Sequence, residues 1–290
     1  MIDEPIEEKK TGTVKVLIHS FFVIPFVIAV FGVLFFFMFR ILVNESDSAR
    51  DYLTEVKIGS ATKRWQSAFE LAKLLSDPDL IPRSEDFRTE MIKAYQYAIH
   101  DNPMVRTYLA LAMGRTGDNN YGQALIEGLR DEDLNSRLAS INALGMIQFQ
   151  PAITLLKQYL SGSTAQEEKL AAVIALGMIG DKSIITDLQI LLSDEEPNLR
   201  WDAAVALAKL GDKSGSQVIE NLLDRKYLDN YPSVDEWEKT QAILVAIHIS
   251  NQISDDRFIP NLKYLASNDM NMKIRDSAIK TLKNTYNLEL

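Results

Sequence analysis

The stretch KLAAVIALGMIGDKSIITDLQILLSDEEPNLR, Lys169 to Arg200, decides the fold. It holds an apolar run at helical spacing, a Gly-Asp turn at Gly180 and Asp181, a second apolar run, and an acidic turn at Asp194 to Glu196. At Arg200 the pattern restarts as RWDAAVALAKLGDKSGSQVIENLLDR. A unit that recurs after 31 residues in this way is a helical hairpin, and it buries its apolar face only against copies of itself.

Outward from there, the basic residue that opens each first helix recurs at Arg64, Arg106, Arg137, Lys169 and Arg200, with Arg275 as a weaker last copy. The three central intervals are 31, 32 and 31 residues. Alanine recurs six positions after the opener, at Ala112, Ala143, Ala175 and Ala206, followed by Gly114, Gly145, Gly177 and Ala208. Small residues at one helical position let neighbouring helices approach closely. In the second helices, Leu125, Leu156, Leu188 and Ile219 form one column and Leu129, Leu160, Leu192 and Leu223 another, the spacing of a single buried stripe. Gly117, Gly180 and Gly211 close first helices, and Asp101, Asp133 and Asp194 are expected N-caps. RWQSAFELAKL from Arg64 and RWDAAVALAKL from Arg200 agree at seven of eleven positions, so Trp65 and Trp201 are expected to share one structural job.

The period breaks at Asp224 to Trp237, DRKYLDNYPSVDEW, where Ser233 and Glu236 read as the capping box of a helix beginning near Val234. Insertions in repeat arrays fall on loops and often carry a partner contact, and Tyr227, Tyr231 and Trp237 suit a protein interface. The alternative is that these rings cover the irregular last helices.

The motif D-x-x-x-x-R followed by A-L-G-x-[IL]-G-D stands at Asp101–Asp118, in part at Asp133–Phe149, at Lys169–Asp181 with Lys for Arg, and at Arg200–Asp212. It resembles HEAT repeats, specifically the short class of about 30 residues first recognised in phycobilisome lyases. The resemblance covers residues 60–225 well and 226–290 loosely. It implies an all-α, right-handed α-solenoid of about six to seven hairpins, with first helices convex and second helices concave. On that geometry the concave columns are Gln123, Thr154, Thr186 and Gln217, with Ile126, Lys157, Gln189 and Glu220 beside them.

Ahead of the array, residues 1–15 are polar and read as a tail, and 44–59 as a linker to a repeat domain spanning 60–290. From Val16 to Phe39 run 24 residues without a formal charge, eight of them Phe. A helix of that length rises ~36 Å against a hydrocarbon core of ~30 Å, so 16–43 is expected to be a single transmembrane helix in contact with lipid through 16–39. The apolar run is too long for a cleaved signal peptide. The balance of Lys9, Lys10 and Lys15 against Arg40 and Arg50 leans toward a cytoplasmic N-terminus and an outside domain.

Composition limits the chemistry. The chain of 290 residues has net charge −9 and no cysteine. An acidic domain repels phosphate backbones, so nucleic acid is not expected as a ligand. Without cysteine there are no disulfides, thiolate metal sites or thiol nucleophile. The three histidines, His19, His100 and His248, are isolated, and neither His100 nor His248 begins the His-Glu pairs that a chain resembling deoxyhypusine hydroxylase would carry for iron. No catalytic, cofactor or metal residue is therefore assigned, and the chain is not expected to be an enzyme. The main expectation is a membrane-anchored scaffold that binds a protein of a membrane transport or envelope complex. A bilin lyase, implied by the repeat class, and a self-associating spacer are the alternatives.

Overall fold

The computed structural model describes residues 24–43, 48–161, 165–232 and 234–289. Among these residues there are sixteen α-helices and no strand. The chain divides between Ser48 and Ala49 into two compact units.

The first unit contributes α1, Ile24–Val43. Among the described residues no helix is long and apolar enough to cross a membrane. This overturns the expected single-pass membrane location and the orientation that went with it. Residues 16–23 of that expected span, and the tail 1–15, lie outside the described residues.

The second unit begins with α2 (Ala49–Ile58), α3 (Ala61–Leu74) and α4 (Glu85–Tyr97). Helices α5 (Pro103–Arg115), α6 (Gly122–Gly128), α7 (Leu134–Met146), α8 (Ile153–Gln158), α9 (Gln166–Ile179), α10 (Ile185–Leu191), α11 (Pro197–Lys209) and α12 (Ser216–Leu222) form the regular hairpins. Then come α13 (Arg225–Leu228), α14 (Glu236–Ile253), α15 (Ile259–Asn268) and α16 (Met272–Tyr286). These fifteen helices exceed the twelve to fourteen of six or seven hairpins. The excess has two sources: α2, in a segment that reads as linker, buries Ala49, Leu53 and Val56 against the array, and the insertion forms a helix of its own, α13.

First helices of successive units pack on one another, α3 on α5, α5 on α7, α7 on α9 and α9 on α11. The small-residue columns make this possible. A Cβ at Gly114 would stand 2.8 Å from the Cα of Ala143, and one at Gly145 would stand 2.7 Å from the Cα of Ala175. At Gly177 it would lie 2.8 Å from the Cβ of Ala206. Each glycine thus receives the alanine of the next unit.

The Gly-Asp turns work as the sequence suggests. Gly117, Gly180 and Gly211 hold φ of +66°, +80° and +79°, and Gln148 takes the equivalent position in the remaining unit at φ +53°. A side chain in that left-handed region costs about 1 kcal/mol or more. Asp118, Asp181 and Asp212 then accept the backbone N–H two residues on, and after Asp118 and Asp181 one 3₁₀ turn opens the second helix. Of the three expected N-caps, Asp133 caps α7 through the Ser136 amide at 2.9 Å. Asn102 and Glu196 cap α5 and α11 instead of Asp101 and Asp194, whose carboxylates are turned toward cations on the preceding first helices. The capping box of α14 is Asp235 with Glu238, and the helix begins at Glu236; Ser233 lies outside the described residues.

Two apolar cores meet on α11. Ala203, Ala206, Leu207 and Leu210 belong to the core that runs back to Ala49, while Trp201, Ala204 and Ala208 belong to the one that runs on to Leu282.

Candidate functional site

The opening cations form a ladder. Arg137 donates from Nη1 to the carbonyls of Asp131 (2.8 Å) and Glu132 (2.9 Å) in the turn before its helix, and from Nε to Glu168 of the next unit at 2.5 Å. Arg106 likewise holds the carbonyls of Ala98, Ile99 and Asp101 and pairs with Asp131, its Nη2 lying 2.8 Å from Oδ1. Arg64 reaches Asp101 at 2.5 Å and Lys169 reaches Asp194 at 2.7 Å. Arg106 and Arg137 therefore each tie two successive turns together. Burial acts to raise the Asp131 carboxyl, but the Arg106 guanidinium, the Asp133 amide and the Ser136 hydroxyl outweigh it and hold it below the usual carboxylate value. For Asp194 the Lys169 ammonium is the leading cause of a lowered value.

At Arg200 the ladder changes character. Nη1 still holds the carbonyls of Asp194 (2.7 Å) and Glu195 (3.0 Å), but Nη2 donates to the hydroxyl of Tyr231 at 3.0 Å where Arg137 meets Glu168. Tyr231 donates to the Tyr227 hydroxyl at 3.0 Å, and Trp201 Nε1 lies 3.4 Å from that oxygen. The Trp201 and Tyr231 rings stand edge to face at 5.3 Å, as do those of Tyr227 and Tyr231. Burial, together with the hydrogen bond it donates to Tyr227, raises Tyr231, while the donors around Tyr227 lower Tyr227 against the effect of burial. The cluster thus joins the insertion to α11 through one guanidinium and three rings. Tyr227 and Tyr231 are half-buried against the second core, while Trp237, on the first turn of α14, stays 69% exposed. Trp65, the sequence counterpart of Trp201, packs at the edge of the first core.

The second-helix columns are accessible. Gln123, Thr154, Thr186, Gln189 and Gln217 are exposed, and Lys157 and Glu220 are half-buried. Several of them link one second helix to its successor. Lys157 pairs with Asp187 at 2.7 Å, Gln189 donates to Ser214 at 3.3 Å, and the Glu220 carbonyl accepts from Asn261 at 3.0 Å. Gln217 instead donates within its own helix, to Glu220 and Asn221. These side chains make a polar, hydrogen-bonding surface suited to another protein, with Trp237 as a large apolar contact on the insertion.

The ladder acceptors Asp131 and Glu168 do not stand out in the sequence reading. A signal for them exists: Asp131 follows Arg106, and Asp194 follows Lys169, by 25 residues, while Glu168 follows Arg137 by 31. Among the described residues no group of three or more His, Asp or Glu side chains converges as a metal site would require.

Residues 153–232 match the family model for HEAT repeats. This stretch is built of HEAT repeats. The chain is 26% identical over 134 residues to the uncharacterized phycocyanin operon protein Y of Pseudanabaena tenuis. That alignment covers 43% of the chain and only 31% of the relative. Among solved structures, the complex of CpcE and CpcF of phycocyanin lyase from Nostoc sp. matches with a TM-score of 0.58 at 18% identity, over 81% of this chain and 86% of that one. The repeat array is therefore of the all-helical kind found in that lyase. These likenesses bear on the fold and lend no support to a membrane anchor.

Proposed function

We propose that the chain is a bilin lyase-like HEAT-repeat protein, one that handles a tetrapyrrole in company with a protein partner. The observation that carries this reading is the relative from a phycocyanin operon, and it is supported by an array of the same fold as phycocyanin lyase over four-fifths of the chain. The surface chemistry suits it. The exposed row of Gln123, Thr154, Thr186 and Gln217, with Trp237 beside the insertion, offers a partner hydrogen bonds and one aromatic anchor. The chain has no cysteine, so any thiol acceptor for a bilin belongs to the partner.

Expression of the full chain together with a bilin, followed by purification and visible spectroscopy, tests the proposal. A visible absorption band that travels with the protein is expected. A colourless protein that still captures a partner through the second-helix row would replace this reading with a plain protein-binding scaffold, which the accessibility of Trp237 favours independently of any pigment.

A further inference from the structure

A second surface lies at the amino end of the repeat unit. The C-terminal turn of α2, the first turn of α3 and the last turn of α4 enclose an open cavity of about 400 Å³. Its walls are Val56, Ile58 and Tyr97, and its remaining polar lining is Lys57, Arg64 and Lys93. In a chain of net charge −9, this lining holds three cations and no carboxylate. The cavity between α4, α5 and α6, by contrast, mixes Arg106 and Arg130 with Glu127 and Asp131.

The three cations are not equivalent. Arg64 is held by Asp101 and by the Val56 carbonyl, and its guanidinium sits 5.9 Å from the centre of the Tyr97 ring. Lys57 is shared with Glu90 at 3.4 Å, whereas Lys93 has no carboxylate partner among the described residues. The apolar walls are just as unusual: Ile58 is 79% and Tyr97 65% exposed, large side chains left open to water at the rim of a cavity. Arg64 lies over one face of the Tyr97 ring and the His100 ring stands at 79° to it with centroids 6.2 Å apart, while 65% of Tyr97 stays open to solvent and to a flat ligand.

We infer that this cavity binds a small molecule with a flat conjugated body and a carboxylate, the body against Tyr97, Ile58 and Val56 and the carboxylate on Lys93. Its volume falls within the range of small-molecule sites, roughly 300–1,000 Å³. The open stretch of Tyr97 supplies a stacking surface, and Lys93 supplies the charge that the cavity otherwise leaves unmatched. The inference stands on the cavity's own chemistry and does not require the lyase reading.

Binding of 1-pyrenebutyrate and of its uncharged methyl ester to the full chain, followed by fluorescence anisotropy, is the test. The acid is expected to bind at least about threefold more tightly than the ester. Lys93→Glu is expected to weaken the acid by about threefold to fivefold, the size of one exposed ion pair, while Lys93→Arg keeps it. Tyr97→Ala is expected to weaken acid and ester alike by about threefold to tenfold. Arg130→Glu, at the mixed-charge cavity, is expected to change neither. Equal binding of acid and ester, or an acid affinity untouched by Lys93→Glu, overturns the inference. Biliverdin then separates the two readings. Displacement of the probe identifies the cavity as a tetrapyrrole site; failure to displace it, with the Lys93→Glu loss intact, supports the cavity as a site for another conjugated acid and leaves the lyase reading to its own pigment test.

Discussion

Between α5 and α11 the same two contacts recur from unit to unit, whereas beyond α11 the glycine-alanine contact is gone and the cation-carboxylate contact survives once, as Arg225 with the buried Asp269. In the regular part a cation meets a carboxylate and a glycine receives an alanine, at Gly114 with Ala143, Gly145 with Ala175 and Gly177 with Ala206. On α11 the cation Arg200 meets Tyr231, and the position of the glycine is held by Ala208, which packs into the second core. The regular part is specified anew at each repeat. The irregular part is joined to α11 by a cluster with no second copy, in which Trp201, Tyr227 and Tyr231 close around a single guanidinium, and is tied further on by Arg225 and Arg275 at the turn of Asp269.

The largest effect should come from breaking the regular contact at its most buried pair. Asp131→Ala leaves the Arg106 guanidinium, with 10% of its side chain exposed, without its carboxylate, and is expected to destabilise by about 3–5 kcal/mol in urea unfolding. The pH dependence follows from the lowered Asp131 value. A depressed folded-state value gives stability that is complete above the ordinary carboxylate range near pH 4 and is lost as pH falls through the folded value, so parent and variant should converge in acid.

Next in size is Gly145→Ala, which sets a methyl group 2.7 Å from the backbone of Ala175 and is expected to cost about 1–3 kcal/mol by the same measurement. Tyr231→Phe sharpens the comparison from the other side. It removes a neutral hydroxyl from Arg200 and should cost only about 1 kcal/mol, several-fold less than Asp131→Ala.

Asp202, on α11 between the two cores, behaves opposite to the ladder carboxylates. Burial pushes it up to about 6, with Lys209 opposing. A raised folded-state value for an acid means that stability falls as pH rises from about 4 through 6, so Asp202→Asn should raise Tm at pH 7 and leave it nearly unchanged at pH 4. The smallest change should be a gain. Gln148→Gly relieves the left-handed backbone at φ +53° and is expected to stabilise by about 0.5–1 kcal/mol in thermal melts.

Hairpin, turn and stacking position were all legible in the residues, because a 31-residue repeat places the same contact in register each time. Gly145 and Ala175 could be paired from spacing alone, and Gly180 and Gly211 announce their own backbone. What spacing did not reveal was where a side chain reaches across units. Asp101 and Asp194 read as caps because an acid before a helix usually caps it, yet both are drawn to the cation of the previous unit, and Asn102 and Glu196 take over the amide. The stretch of α2 lies outside the period, so spacing does not show that Leu53 and Val56 are buried in the core. At the candidate surface, exposure at Gln123, Thr154 and Gln217 followed from helical position, while the bond from Arg200 to Tyr231 depends on an insertion that has no second copy to compare. For the apolar segment before the array, length without charge predicts a membrane span, but among the described residues no helix is long and apolar enough to cross one.

The ladder also bears on how such a chain grows. A duplicated block from one opener to the next carries a cation for the turn behind it and an acceptor for the cation ahead, so a new copy inserted between α5 and α11 arrives with both its connections. No such copy can be spliced across Tyr227 to Trp237, where the acceptor is a pair of phenols belonging to one loop. Lengthening by gene duplication is therefore open on the amino-terminal side of that loop and closed across it, and relatives that differ in repeat number should differ there.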